Sequence, residues 1–366
     1  MPALARLELS NLRNIESAEL ELAEGFNLFF GDNGSGKTSV LEALHLLAFG
    51  RSFRSQLQKS LVRDGCSEAT VFAQTREGLG LGILRPLKGA QSLRIAGRKA
   101  EGLAELSHSL PLQLINSDTF QILEGSPSER RRFLDWGVFH VEQSFFGNWR
   151  RARLALQNRN SLLRQGAAAS ELEPWTLELV RSSEQMDLQR AQYMHKLKPL
   201  LEPELAGLAA WDPGLELDVE YFRGWTSELG LYEQIQKDLL RDRRYGHTSS
   251  GPHRADLRFR LGSAEAAELL SRGQLKLLIC ALKIAQGHLL EQEQGRRCIY
   301  LIDDLPAELD ADNRIRVCNL LKERQAQVLL TSIERDTLAR ELVQSSDAAA
   351  SKHKLFHVKR GKIEAV

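Results

Sequence analysis

One short stretch constrains the fold of this chain more than any other. Residues 31–38 read Gly-Asp-Asn-Gly-Ser-Gly-Lys-Thr, and the apolar run 26–30 comes directly before them. Glycines let backbone N–H groups turn toward a phosphate without a Cβ in the way. A helix-period apolar stretch follows at 40–47, and a helix N-terminus there would add unpaired N–H groups. This order of strand, loop and helix indicates a Walker A phosphate loop and makes a glycine-rich turn with a surface lysine the weaker interpretation.

The motif predicts ATP and Mg²⁺ as ligands of this loop. Lys37 is expected to reach the β- and γ-phosphates, and Thr38 to hold Mg²⁺. The residues of the loop predicted to bind the nucleotide are Gly31, Asp32, Asn33, Gly34, Ser35, Gly36, Lys37 and Thr38.

A second acidic motif lies far along the chain. The apolar run from Cys298 to Ile302 is closed by Asp303 and Asp304. In a buried strand this pattern places the first carboxylate at the carboxyl edge of the sheet, beside the phosphate loop. Asp303 is therefore predicted to hold Mg²⁺, and Asp304 to orient or deprotonate an attacking water. A strand that ends in a solvated acidic turn is the alternative, which the Walker A motif makes less favoured.

Two further stretches can lie at a nucleotide. Ser271-Arg272-Gly273-Gln274 precedes the helical run 277–285. Ser271 and Gln274 form a capping-box pattern, and the same helix N-terminus, with Gly273, is suited to a γ-phosphate. Both interpretations stay open on these residues alone. Arg13, in the turn 11–15 before the phosphate-loop strand, is the other candidate nucleotide contact, with a purely structural role as its alternative.

The pattern of elements predicts an α/β fold in which a mixed sheet carries the nucleotide site. Alternating strands are expected at 6–9, 18–22, 69–74, 79–85 and 92–96 and again at 257–261 and 328–330, with a final hairpin over 354–359 and 362–365. Between them the chain is charged and helix-period, with a capping box at 126–129 and breaks at 166–170, Pro199, Pro203 and 212–214. We predict an N-terminal head part over 1–122, an inserted helical arm over 123–244 and a C-terminal head part over 245–366.

Composition adds weaker constraints. The sequence is 42% hydrophobic and 27% charged, as in ordinary soluble proteins, and its net charge of +1 neither demands nor forbids a polyanion. Four scattered cysteines match no zinc or disulfide framework. No signal peptide or long apolar run is present, so we expect a cytoplasmic protein without a membrane partner.

The order of the motifs resembles a known class of ATPase. Walker A, a long insertion, Ser-Arg-Gly-Gln, Walker B and Glu308-Leu309-Asp310 are arranged as in ABC-type heads of the SMC and Rad50 class. The chain lacks the long coiled coil of those proteins. Short motifs across its whole length make it similar to the RecF family of bacterial DNA replication and recombinational-repair proteins. They are 12–14, 31–38, 50–54, 125–135, 251–254, 271–274 and 303–310.

The resemblance implies a function for the chain. In this class the signature serine, here Ser271, closes on ATP held by another subunit, so ATP joins two heads. A homodimer would then clamp duplex or gapped DNA, and a weak, DNA-stimulated ATPase would reset it. RecR- and RecO-type mediators are the implied partners, and the implied task is loading a recombinase at single-strand gaps. The sequence departs from the family at Ala255 and Ala307, and Thr331 stands where transporter ATPases carry a switch histidine, so the role of these positions is in doubt.

Three basic clusters are candidate DNA contacts. They lie at 130–132, 149–153 and 241–245, and each is also explained as a solvated helix face. No motif for reading base sequence is present, so binding is expected to be independent of sequence. The alternative functions are an ABC-type ATPase subunit that drives a separate effector, such as a nuclease or a transporter, and a small-molecule kinase.

Overall fold

A computed structural model describes residues 3–54, 61–208, 216–304, 309–333, 335 and 352–366. The chain divides into two compact units. The first comprises Met1–Thr119, Glu204–Ala210 and Lys276–Val366, and the second comprises Phe120–Pro203 and Trp211–Leu275. Apart from the short segment Glu204–Ala210, the chain returns to the first unit at Lys276 and not at the predicted 245. The reason is that residues 256–261 pair with a strand of the second unit, so that the segment up to Leu275 stays with it.

Two six-stranded sheets organise the first unit. The antiparallel sheet contains β1 (Leu4–Leu12), β2 (Ile15–Glu21), β4 (Glu68–Thr75), β5 (Gly80–Pro86), β6 (Ser92–Ile95) and β7 (Arg98–Lys99). The other sheet contains β3 (Phe26–Phe30), β8 (Leu112–Ile115), β12 (Ile299–Ile302), β13 (Gln327–Ser332), β14 (Lys354–Lys359) and β15 (Lys362–Ala365). Its order is β15-β14-β3-β13-β12-β8, parallel except for the final hairpin. The predicted α/β class with a mixed sheet is confirmed, although the N-terminal antiparallel strands form a sheet of their own.

The first helix joins these sheets. It is α1 (Lys37–Phe49), and the other helices among the described residues of this unit are α2 (Leu103–Ser109), α11 (Ala311–Glu323) and most of α10 (Arg272–Gln294). Leu41, Leu44 and Leu47 are fully buried in one cluster with side chains of both sheets. Because α1 is apolar on nearly every side, burial on both faces fixes its position. The loop that leads into α1 is therefore fixed in position as well.

The second unit is mainly helical. It contains α3 (Gln121–Glu124), α4 (Pro127–Val141), α5 (Phe145–Gln165), α6 (Ala169–Gly207, up to Pro203), α7 (Leu231–Lys237), α8 (Leu239–Tyr245) and α9 (Ala266–Leu269). A three-stranded antiparallel sheet accompanies them, with β9 (Leu217–Phe222), β10 (Asp256–Leu261) and β11 (Ala264–Glu265). Strand β9 was not predicted. Among the helices of the described residues, none is long and apolar enough to cross a bilayer.

Two local predictions for this unit need correction. Helix α6 continues through Pro199 and Pro203, where breaks were expected. Buried Leu197, Leu201 and Leu205 lie on one stripe of the helix, and their packing outweighs the backbone hydrogen bonds that two prolines remove. Helix α4 begins after Ser126 as predicted, but the capping box does not form, since the Ser126 side chain makes no cap bond.

A buried ion pair ties the helices of the second unit together. Arg159 of α5 donates from Nη1 to Asp242 Oδ2 of α8 at 2.9 Å and to Thr248 Oγ1 at 2.6 Å. Its Nε donates to Thr176 Oγ1 of α6 at 3.1 Å. The Arg159 and Asp242 side chains are only 1% and 0% exposed. Removing one partner would leave the other charge buried without compensation, which is costly.

We therefore expect Arg159→Ala to destabilise this unit by about 3–5 kcal/mol. The five tryptophans of the sequence all lie between residues 136 and 225, so urea unfolding followed by intrinsic fluorescence reports on this unit. Arg132→Ala is the control, because the Arg132 pair with Glu129 is exposed and should contribute less than about 1 kcal/mol. Equal shifts of the urea midpoint in the two variants would contradict a structural role for the buried pair.

Candidate nucleotide-binding site

A cavity of about 780 Å³ lies at the carboxyl edge of the parallel strands in the first unit. The loop between β3 and α1 forms one side of it, and the residues that follow β12 and β13 form another. Of the predicted site residues, those that line it are Arg13, Asn33, Gly34, Ser35, Gly36, Lys37, Thr38, Asp303 and Asp304. The fold therefore brings together two motifs that are 265 positions apart in sequence.

The loop needs glycine for steric reasons. Gly31, Gly34 and Gly36 have φ of 145°, 75° and 119°, which side chains disfavour. A Cβ on Gly31 would come within 2.2 Å of the Val358 carbonyl oxygen. The loop conformation therefore favours glycine at these three positions, and at Gly31 it leaves no space for a side chain.

Lys37 lies within the loop. Its Nζ donates to the Gly31 carbonyl oxygen at 2.6 Å and to that of Asp32 at 3.0 Å, and the residue is only 8% exposed. Burial lowers the pKa of the Lys37 ammonium, and the carboxylates of Asp304, Asp303 and Asp32 oppose that shift. The position suits a cation that compensates the charge of a polyphosphate.

The Asp303 carboxylate connects the two motifs. Its Oδ1 accepts hydrogen bonds from Thr38 Oγ1 at 3.0 Å and from Thr331 Oγ1 at 2.8 Å. Burial raises the pKa of the Asp303 carboxyl, whereas the hydrogen bonds from Thr331 and Thr38 lower it. Three segments therefore meet at one oxygen.

Thr331 has a structural role that the sequence left in doubt. Its hydroxyl oxygen also accepts from the Asp304 backbone N–H at 2.8 Å. Asp304 has φ of 53°, a conformation that a non-glycine residue adopts rarely. A single threonine at the end of β13 thus holds both acids that follow β12. The available signal was its place directly after the apolar run 328–330.

Arg13 lines the cavity but is held by a carboxylate. Its Nε and Nη2 donate to Glu42 Oε2 at 2.9 Å and Glu42 Oε1 at 2.6 Å. Glu42 is fully buried on α1, and Ser52 also donates to it. Glu42 was not predicted as a site residue, because one acid in an apolar helix gives no pattern. This carboxylate fixes the direction of the Arg13 guanidinium beside the loop.

The C-terminal hairpin braces the phosphate loop. Gly361 donates its backbone N–H to the Ser35 carbonyl oxygen at 2.7 Å, and Asn14 Nδ2 donates to the same oxygen at 2.9 Å. Gly361 has φ of 81°, and a Cβ there would lie 2.1 Å from the Asn14 carbonyl oxygen. The hairpin was predicted, but its contact with the loop was not, since no local pattern encodes it.

Gly31 and Asp32 belong to the phosphate loop but do not line the cavity, and the predicted Ser271, Gly273 and Gln274 belong to the second unit. Ser271 precedes α10, and its N–H donates to Gln274 Oε1 at 2.9 Å, while the Gln274 N–H donates to Ser271 Oγ at 3.3 Å. The capping box is confirmed, with Ser271 exposed and Gly273 half-buried in the first turn. An exposed, capped helix N-terminus retains N–H groups that suit an anion.

The first basic cluster is largely engaged within the second unit. Arg130 makes two hydrogen bonds to Asp256, at 2.7 and 3.0 Å, and Arg131 donates to the Ala255 carbonyl oxygen at 2.8 Å. Arg132 pairs with Glu129. The fold thus explains these arginines without DNA.

Ala307 and Glu308 lie outside the described residues.

Sequence comparison finds one family along the chain. Residues 3–354 match the model of the RecF/RecN/SMC N-terminal domain. The chain is 44% identical to the DNA replication and repair protein RecF of Pseudomonas aeruginosa, over 99% of this chain and 97% of that protein. It is 46% identical to the protein of the same name from Pseudomonas entomophila, over 99% and 98%.

Structural comparison gives related neighbours. The recombination mediator protein RecF with ATP, of the RecFOR pathway, superposes with a TM-score of 0.86 at 25% identity, over 100% of this chain and 97% of that chain. An SMC head bound to the C-winged helix domain of ScpA superposes with a TM-score of 0.59 at 17% identity, over 100% and 98%. The second likeness concerns the fold alone.

The brace on the phosphate loop leads to a prediction. We expect Gly361→Ala to weaken binding of a fluorescent ATP analogue at least tenfold, because the added Cβ would push the hairpin away from Ser35. Gly97→Ala is the matched control. Gly97 also has a positive φ, of 77°, but a Cβ there meets nothing within 4 Å. The control should therefore carry only the backbone cost of about 1–2 kcal/mol in stability, with nucleotide affinity unchanged. Equal affinities in the two variants would show that the hairpin does not shape the loop.

Proposed function

The chain belongs to the RecF family, within the wider group of RecF/RecN/SMC N-terminal domains, and on this basis we propose that it is an ATP-dependent DNA-binding protein of replication and recombinational repair. The observation that carries the proposal is the shared hydrogen-bond network of Thr38, Asp303 and Thr331 at the phosphate loop. It joins the parts that an ATPase needs. The RecF relatives named DNA replication and repair proteins supply the biological setting.

ATP and Mg²⁺ are the proposed ligands of this site. The Thr38 hydroxyl and the Asp303 carboxylate offer neighbouring oxygen atoms at the cavity, which fits a cation that prefers oxygen ligands and keeps several waters. Bound there, Mg²⁺ would neutralise charge on the β- and γ-phosphates. Lys37 compensates the remaining phosphate charge, and Asp304 orients or deprotonates the attacking water. Arg13, held by Glu42, faces the nucleotide.

Nucleotide binding joins two copies of the chain. Ser271, Gly273 and Gln274 of one copy approach the γ-phosphate held by the other, and the exposed helix N-terminus supports this role. The ATP-bound homodimer clamps duplex or gapped DNA, and slow, DNA-stimulated hydrolysis resets it. Because ATP can shift the equilibrium only through differential affinity, it binds the dimer better than the monomer.

The dimer acts on chromosomal DNA in the cytoplasm, where it helps RecO- and RecR-type mediators load a recombinase at single-strand gaps. The solved structure of RecF with ATP, assigned to the RecFOR pathway, supports this set of partners. Contacts with phosphates suffice for this task, so binding does not depend on base sequence.

Binding of labelled duplex DNA, followed by fluorescence anisotropy, tests the proposal. We expect Mg²⁺-ATP to tighten binding by about a hundredfold relative to ADP, which corresponds to about 2.7 kcal/mol. Ser271→Arg should abolish that difference, because a bulky side chain at the helix N-terminus would block the second copy. It should still bind ATP.

Ser263→Arg is the matched control. Ser263 is exposed in the turn between β10 and β11, so this variant adds the same charge to the same unit outside the Ser271–Gln274 motif. The control should keep the ATP dependence. Wild-type affinity for duplex DNA that is equal with ATP and with ADP would overturn the proposed function.

A further inference from the structure

An open groove of about 730 Å³ lies in the second unit, and none of the described residues that line it lines the nucleotide site. The side chains that matter for its chemistry are Phe222, Arg241, Tyr245, His247, Ser249 and Arg254. They come from the end of β9, from α8 and from the segment 246–254. The last of the three basic clusters in the sequence therefore contributes two residues, Arg241 and Tyr245, to a concave surface.

The groove has a fixed shape. Asp242 is fully buried on α8 and accepts hydrogen bonds from the Ser249 backbone N–H at 2.9 Å and from Ser249 Oγ at 2.6 Å. Below them, Gly251 donates its N–H to the Gly224 carbonyl oxygen at 3.1 Å. A Cβ on Gly224 would lie 2.2 Å from the Gly251 carbonyl oxygen, so the two backbones touch. A ligand would therefore meet a preformed surface.

Two aromatic rings of the groove are exposed. Tyr245 is 61% exposed and Phe222 is 48% exposed, although large aromatic side chains normally lose most of their exposure on folding. The Arg244 guanidinium lies 5.8 Å from the centroid of the Tyr245 ring, and the His247 ring lies 6.0 Å from it. These rings present flat apolar surface of the kind on which nucleobases stack.

The charged side chains that line the groove are arginines, and the Asp238 carboxylate, which accepts from Ser250 Oγ at 2.7 Å, interacts electrostatically with Arg241. Arg241 and Arg254 are both exposed, and Arg241 donates only one described bond, from Nε to Ser249 Oγ at 3.0 Å. Among the described residues that line the groove, none is a carboxylate. Guanidinium groups beside stackable rings match a polymer that has both phosphates and bases.

We propose that this groove binds single-stranded DNA. The proposal deepens the proposed function and rests on it, since it names the surface that would contact the unpaired strand of a gap. An acidic peptide would satisfy the two arginines but would leave the exposed rings of Tyr245 and Phe222 without flat partners. The observations therefore favour nucleic acid, with backbone phosphates on the arginines and bases on the rings.

Fluorescence anisotropy with a labelled 15-nucleotide oligothymidylate, measured at several salt concentrations, tests the role of the two arginines. Arg241→Gln with Arg254→Gln should weaken binding at least tenfold. It should also lower the slope of log affinity against log salt by about 1.4, since each charge contributes about 0.7 on single strands. Arg181→Gln with Arg258→Gln is the control, because these arginines are exposed in the same unit outside the groove and the net charge changes equally.

A second pair of variants tests stacking. Tyr245→Ala should weaken oligothymidylate binding by about tenfold, within the range for loss of one base stack, and Tyr245→Phe should not. Tyr232→Ala is the control, since that exposed ring lies outside the groove. ATP hydrolysis and the urea midpoint of each variant establish that the fold is intact.

The outcomes separate this proposal from the proposed function. Equal losses in the groove variants and their controls would overturn the groove as a DNA site. The groove would also be overturned as a DNA site if the wild-type protein bound duplex DNA in the presence of ATP but did not bind oligothymidylate. The proposed function would then stand. Absence of binding to either DNA would overturn both. If the arginine variant kept its affinity for oligothymidylate but lost affinity for polyglutamate, the groove would be reassigned to an acidic peptide.

Discussion

The nucleotide site depends on one carboxylate oxygen that three segments share. Asp303 Oδ1 accepts from Thr38 at the start of α1 and from Thr331 at the end of β13, while Asp303 itself follows β12. The parallel register of β3, β13 and β12 brings these ends to one sheet edge. Because α1 is buried between two sheets, its first turn cannot move away from that edge. Core packing thus fixes the distance between the two motifs.

Around this centre, hydrogen bonds from distant parts of the chain fix the phosphate loop. Asn14 and Gly361 both donate to the Ser35 carbonyl oxygen, and the Glu42 carboxylate holds the Arg13 guanidinium through two hydrogen bonds. Such a loop is preorganised, so binding energy is not needed to order it. In the proposed function, that energy is available for joining two copies.

Local patterns in the sequence predicted much of this architecture. The phosphate loop, α1 and the final hairpin each carry a signal within a few residues, and their predicted bounds agree closely with the structure. The apolar run 328–330 marks the place of Thr331 but not its hydrogen bond to Asp303, which is 28 positions away. Glu42 and Gly361 gave no signal for their roles, because these depend on Arg13, 29 positions away, and on Ser35 near the other end of the chain. Pro199 and Pro203 misled the prediction for a similar reason. Their local effect on α6 is outweighed by tertiary packing.

The mass of the wild-type protein in solution, measured by light scattering with and without Mg²⁺-ATP, tests the central claim most directly. That claim is that a second copy completes the site at Lys37 and Asp303. The account predicts a chain of 41.2 kDa without nucleotide and twice that mass with Mg²⁺-ATP, to which the mass of the bound duplex is added when DNA is present. A mass that stays at that of one chain with Mg²⁺-ATP and DNA together would contradict it.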